Sequence, residues 1–232
     1  MLEINKFTNH ILKDISFSLK EEEHLIILGA NGAGKSTLAK VLSTLISNDK
    51  VKLFNEEVNS LSDEKRARFI NYIPPKLEIF DEYITLYEFL ELSFIEKINR
   101  KKLEEIISLL KLEKIKNRAC NDLSSGEKQL LLLASSIIHN AKITIFDELT
   151  ANMDITRVQE AFEIFNSKYL QQKIIITHNL DLAFHLKYKI LYLEEGEVKF
   201  FGQSEEFFSK EILSKFYQNC LKVVDGHLVV KL

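Results

Sequence analysis

Four short stretches carry residue types whose spacing could do chemistry. GANGAGKST at 29–37 has the form G-x-x-x-x-G-K-[ST], preceded by an apolar run and followed by a helical pattern. In that setting glycines let backbone N–H groups turn inward as a nest for a phosphate, here over Asn31, Gly32, Ala33 and Gly34. Lys35 would reach the β and γ oxygens, and the Ser36 hydroxyl would ligate magnesium. ITIFDE at 143–148 ends an apolar run on two acids. Asp147 at a strand end could hold magnesium through water, and Glu148 could polarise a water for attack on a γ-phosphate. IIITH at 174–178 ends another run on His178, which could touch the γ-phosphate or be simply structural. LSSGE at 123–127 precedes a long apolar helix pattern. Ser124 or Ser125 could cap that helix, or its bare amides could bind an anion.

Those residues need a scaffold. LIIL at 25–28, ITIF at 143–146 and KIIIT at 173–177 lack alternation, as strands buried on both faces of a parallel sheet do. ISFSLK at 15–20 alternates and reads as a half-exposed strand in an N-terminal antiparallel part. Helical patterns at 35–46 and 155–170 follow two of the buried runs, which argues for an α/β domain. Between Tyr83 and Asn140 no strand-like run appears, and 86–98 and 100–115 read as amphipathic helices, so an all-α insertion is expected. Two hairpins are predicted late in the chain, turning at Glu195-Gly196 and Asp225-Gly226.

The 232 residues fit one large domain, and a net charge of −3 without a basic block argues against nucleic acid as a partner. No apolar stretch approaches the roughly 20 residues that cross a bilayer. MLEINKF has no signal-peptide pattern. Cys120 and Cys220 show no metal-ligand spacing and read as reduced packing residues of a cytosolic protein.

The ordered set GANGAGKST, LSSGE, FDELTANMD and IIITH resembles the ATP-binding subunit of an ATP-binding cassette (ABC) transporter, over essentially the whole chain. The resemblance implies a P-loop NTPase core with a mixed sheet over 1–75 and 140–232. A helical subdomain carrying the signature would span 76–139. It implies ATP and Mg2+ as cofactors, bound by Lys35, Ser36 and Thr37, with Asp147 as the Walker B magnesium residue. Glu148 matches the catalytic base and His178 the switch histidine. Phe7 matches the adenine-stacking aromatic, with a core phenylalanine as the equal alternative. In the family two subunits pair head to tail, so Ser124 and Gly126 of LSSGE would meet ATP held by a second copy. Asn152, Met153 and Asp154 would cross that dimer interface. A membrane permease would be the further partner, docked near Phe80, Tyr83, Tyr87 and Phe89. The location implied is cytoplasmic, peripheral on the inner face of the cell membrane.

Three positions depart from the pattern: Ser125 for a signature glycine, Leu149 for a proline, and Pro75 for a glutamine that contacts magnesium. Proline has no side-chain donor or amide oxygen, so coupling through that loop is put in question. The C-terminal stretch is similar to importer subunits for iron-siderophores, haem and cobalamin. Neither the solute nor the permease is named by the sequence. A soluble ABC-type ATPase not coupled to transport is the alternative. A GTPase or small-molecule kinase lacks support, because no N-K-x-D motif is present.

Overall fold

The three apolar runs are strands buried at every position in the computed structural model, which describes residues 1–231 apart from 80 and 219. In chain order the first elements are β1 (Leu2–Phe7), β2 (Ile15–Leu19), β3 (Leu25–Leu28), α1 (Lys35–Leu42), β4 (Val51–Leu53) and β5 (Glu56–Glu57). Then come α2 (Asp63–Phe69), β6 (Ile70–Ile73), α3 (Leu86–Glu91), α4 (Arg100–Leu109), α5 (Ser125–His139), β7 (Ile143–Asp147) and α6 (Ile155–Asn166). The last are β8 (Gln172–Ile176), α7 (Leu180–Leu186), β9 (Lys189–Glu194), β10 (Glu197–Gly202), α8 (Ser204–Phe207), α9 (Lys210–Tyr217), β11 (Leu221–Val224) and β12 (His227–Val230). These form two compact units, Met1–Ser60 with Ile174–Leu232, and Leu61–Lys173.

In the first unit β3 lies between β8 and β9, parallel to both, with Ile26 opposite Ile175 and Ile190. β10 adds to β9 antiparallel, across the turn expected at Glu195-Gly196. A second sheet runs β2-β1-β4-β5 with antiparallel pairing throughout. β2 alternates as predicted, with Ile15, Phe17 and Leu19 buried and the serines between them exposed. The hairpin β11–β12 turns at Asp225-Gly226, and α9 sets Phe216 on Tyr192 at 4.2 Å between ring centroids.

The second unit pairs β6 and β7 in parallel, with Tyr72 opposite Ile145. Its helices are short and capped by their own polar residues: Thr85 and Glu88 make a capping box on α3, and Asn99 caps α4. α5 is the long one. Leu130, Leu131, Leu132 and Leu133 are all buried, so it is enclosed on every side rather than amphipathic. Among the described residues no helix is long and apolar enough to cross a membrane.

Two expectations need correction. Cys120 is buried, and burial pushes its thiol up to about 11, but Cys220 is exposed and is no packing residue. Lys173, inside the run read as apolar, is only 2% exposed, with Nζ 3.3 Å from the Ser167 carbonyl. Burial pushes its ammonium down to about 8. Lysine in the unfolded chain titrates near roughly 10.4, so between those values the unfolded state binds more protons and stability rises with pH. Lys173→Met should therefore be more stable than wild type near neutrality, by up to about 3 kcal/mol. That gap should close between roughly pH 8 and pH 10. Urea melts of both proteins across the window test this; a gap independent of pH would refute it.

Candidate functional site

The phosphate-loop stretch leaves β3 at Gly29 and enters α1 at Lys35, as the spacing predicts. Two glycines are required by what surrounds them. At Gly29, φ is 150°, and a Cβ would stand 2.1 Å from the Leu193 carbonyl oxygen. At Gly34, φ is 102°, and a Cβ would stand 2.8 Å from Leu12 Cδ2. The β9–β10 turn braces the same loop, the Gly196 N–H donating to the Ala33 carbonyl at 3.1 Å and the Lys13 N–H to the Gly196 carbonyl at 2.8 Å. Sequence reading missed Gly196 and Leu193, because nothing local marks a partner more than 150 residues away (about two thirds of the chain).

α1 starts without a side-chain cap, and its first turn holds no acid. The helix therefore presents uncapped amide donors and the positive end of its dipole at the loop. Lys35 is 5% exposed, and its ammonium donates to the Gly29 and Ala30 carbonyls at 3.0 and 2.9 Å. Asn31, Gly32 and Ser36 are exposed, Gly34 and Thr37 half-buried, and Ala33 buried. A cation, backbone amides and hydroxyls around a glycine turn make a donor set that suits phosphate oxygens. In the same unit His178 is exposed after β8, followed by Asn179, whose side chain caps α7. Phe7 is only 6% exposed, opposite Ile15, a position that fits the core reading.

The second unit holds the carboxylates. Asp147 is fully buried at the end of β7, and the Tyr72 hydroxyl donates to its Oδ2 at 2.8 Å. Burial, then the Asp147 charge, push the Tyr72 phenol well above its usual range, so it stays a donor at any ordinary pH. Tyr72 is a positioning residue that the sequence did not single out. Glu148 is half-buried with φ 53°, a left-handed backbone that non-glycine residues seldom take, and its carbonyl accepts from the Ala151 N–H at 3.0 Å. The oxygens of Asp147 and Ser36 are hard donors of the type Mg2+ takes.

LSSGE begins α5. Ser124 Oγ accepts from the Glu127 N–H at 3.3 Å, and Glu127 Oε2 accepts from the Ser124 N–H at 2.7 Å, a complete capping box. That backbone bond holds Glu127 below the usual carboxylate range. Ser125, in place of the signature glycine, is exposed. Gly126 is enclosed instead: a Cβ there would lie 3.1 Å from Arg157 Cδ and 3.7 Å from the Asn152 carbonyl oxygen. The structure thus brings the 152–157 segment against the start of α5. The Pro75 carbonyl accepts from Gln129 Nε2 at 2.7 Å.

The family model described as ABC transporter matches residues 12–151. The chain belongs to the ABC transporter family. The cassette is 30% identical over 234 residues to a putative ABC transporter ATP-binding protein of Clostridium tetani, covering 96% of this chain and 53% of that protein. It is 28% identical to the molybdate/tungstate import ATP-binding protein WtpC of Pyrococcus abyssi, covering 87% of this chain and 60% of that protein. The cassette thus spans little more than half the length of these curated relatives. Its fold matches the ATP-binding cassette MJ0796, solved as a dimer in a post-hydrolysis state with ADP and Pi. The TM-score is 0.77 at 22% identity, covering 88% of this chain and 99% of that one. The cassette has the P-loop NTPase fold, with a mixed sheet and a separate antiparallel sheet.

Proposed function

We propose that this chain is the ATP-binding and ATP-hydrolysing subunit of an ABC importer, energising uptake of a small solute through a membrane permease. The observation that carries it is the uncapped start of α1 with the buried Lys35 ammonium on its loop. Residues 29–37 bind the phosphates; Ser36 and Asp147 offer the oxygens for Mg2+, which would offset charge on the leaving and transferring phosphoryl groups. Glu148 takes the proton of the attacking water and His178 holds the γ-phosphate end. The core of 1–75 with 140–232 and the helical subdomain 76–139 remain the functional division. Burial favours the structural alternative for Phe7.

The import reading is supported by the importer name of the Pyrococcus abyssi relative. That relative carries an oxyanion in its name, so iron-siderophore, haem or cobalamin as the solute rests on the C-terminal resemblance alone. Permease docking is supported by the α3 region. Tyr83 is 84% exposed and lines, with Ile84, Leu92 and Ile98, a groove of about 450 Å³ edged by Asp81, Glu88 and Glu91. An apolar permease segment with basic flanks suits it. Tyr87 and Phe89 are half-buried, and Phe80 lies outside the described residues.

The head-to-tail arrangement has a direct test. Ser124→Arg and Lys35→Ala proteins should each be inactive alone. Mixed, they form dimers in which one composite site has an intact loop and an intact signature, and the other has neither. Mixing should therefore restore phosphate release. If two inactive proteins stay inactive together while a mixture with wild type exchanges subunits, LSSGE acts within its own chain as a helix cap only.

A further inference from the structure

Asp181, His185 and His227 have no part in the candidate nucleotide site described above. Asp181 and His185 sit four residues apart on α7, one helical turn, and so share a face. His227 opens β12, directly after the Asp225-Gly226 turn, in the hairpin that packs on that helix. One donor atom from each of the three lies within 4.8 Å of the other two. His227 Nδ1 is 2.9 Å from Asp181 Oδ2, and His185 Nδ1 is 3.4 Å from Asp181 Oδ1. The two imidazole rings are 4.8 Å apart between centroids.

The surrounding bonds set the orientation of these ligand groups. The Leu228 N–H donates to Asp181 Oδ1 at 2.8 Å, which fixes the carboxylate. His185 Nδ1 lies 2.8 Å from the Asp181 backbone carbonyl, a bond that a metal taken at Nδ1 would replace and one taken at Nε2 would leave in place. A backbone partner behind a ligating carboxylate or imidazole is how metal sites hold their ligands in place. Donors in one tetrahedral zinc shell stand roughly 3.3 Å apart, given Zn–N and Zn–O lengths of about 2.1 Å. The three donor atoms lie within 4.8 Å of one another, so they need close by no more than about 1.5 Å to reach that spacing. Two imidazoles with one carboxylate select a borderline transition ion over Mg2+ or Ca2+, which take oxygen.

We propose that Asp181, His185 and His227 form a divalent transition-metal site of the zinc type, water completing the shell, which clips the β11–β12 hairpin to α7. Nothing in the site is shared with the nucleotide residues, so it stands or falls independently of the ATPase reading.

The test uses the full chain without an affinity tag, free of nucleotide and magnesium. After incubation with ZnCl2 and dialysis, wild type should retain one more Zn2+ per chain than His185→Ala/His227→Ala, as read by elemental analysis. Zn2+ should raise the melting temperature of wild type, EDTA should reverse the rise, and the double variant should show none. Trypsin cleavage after Lys222, which is exposed on β11, should slow with Zn2+ in wild type only. Equal Zn2+ retention in the two proteins would overturn the site. So would retention that leaves cleavage after Lys222 unchanged, since the metal would then not join hairpin to helix. His227 is exposed, so His227→Ala alone gives a second, folded variant for the same comparison.

Discussion

Lys35→Ala should abolish ATP hydrolysis, lowering turnover by more than about a hundredfold, the usual cost of losing a placed charge from a phosphoryl-transfer site. It should weaken nucleotide binding as well. The ammonium is buried and already aligned along the loop, 3.0 and 2.9 Å from two of its carbonyls. A bound polyphosphate has only to take over a cation that the fold has desolvated in advance, where electrostatic contacts are strongest. The same bonds make a structural contribution, because alanine leaves the Gly29 and Ala30 carbonyls without that donor, at about 1–3 kcal/mol for each that stays buried. Fluorescent-nucleotide titration and phosphate release, read beside a melting curve, separate the two effects. Wild-type turnover in a folded Lys35→Ala protein would falsify the phosphate-loop assignment.

Glu148→Gln should leave ATP binding intact and slow hydrolysis by about 10²–10⁴-fold, the range lost with a general base. The amide keeps the size of the carboxylate and tolerates the same left-handed turn at φ 53°, so folding should be unaffected. In the proposed head-to-tail pair, unhydrolysed ATP would then stay between the loop of one copy and the signature of the other. On size-exclusion chromatography the variant should run as a dimer with ATP and Mg2+ and as a monomer without them. A variant that hydrolyses like wild type removes Glu148 from catalysis, and one that binds ATP yet stays monomeric removes the sandwich.

The sequence showed the central strands because LIIL, ITIF and III are short runs apolar at every position, as suits a strand covered on both faces. Helix ends were less legible. The patterns at 35–46 and 155–170 overran α1 and α6, which stop at Leu42 and Asn166, because apolar periodicity continues into the turns that follow. Loop residues were legible from motif spacing alone. Their supports were not: Tyr72 under Asp147, Gly196 behind Ala33 and Arg157 over Gly126 act across distances in the chain that no local pattern encodes. Lys173 is a further case, a charge inside an apolar run that reads as a strand end and proves to be buried.

The bond from Gln129 to the Pro75 carbonyl gives the departure at position 75 a mechanical meaning. Gln129 sits one turn inside α5, is 3% exposed, and its Oε1 has no hydrogen-bond partner among the described residues. Its amide thus holds the 74–79 loop by a single tether of 2.7 Å, and that tether ends on the helix which LSSGE begins. If the loop slides away, a buried amide loses its acceptor, at about 1–3 kcal/mol. Movement of the loop away from α5 therefore has to break that bond, which ties the position of Pro75 to the first turns of the helix. A glutamine at 75 would signal through its side chain. Here the contact with α5 is made by the Pro75 main-chain carbonyl, whatever side chain stands at that position.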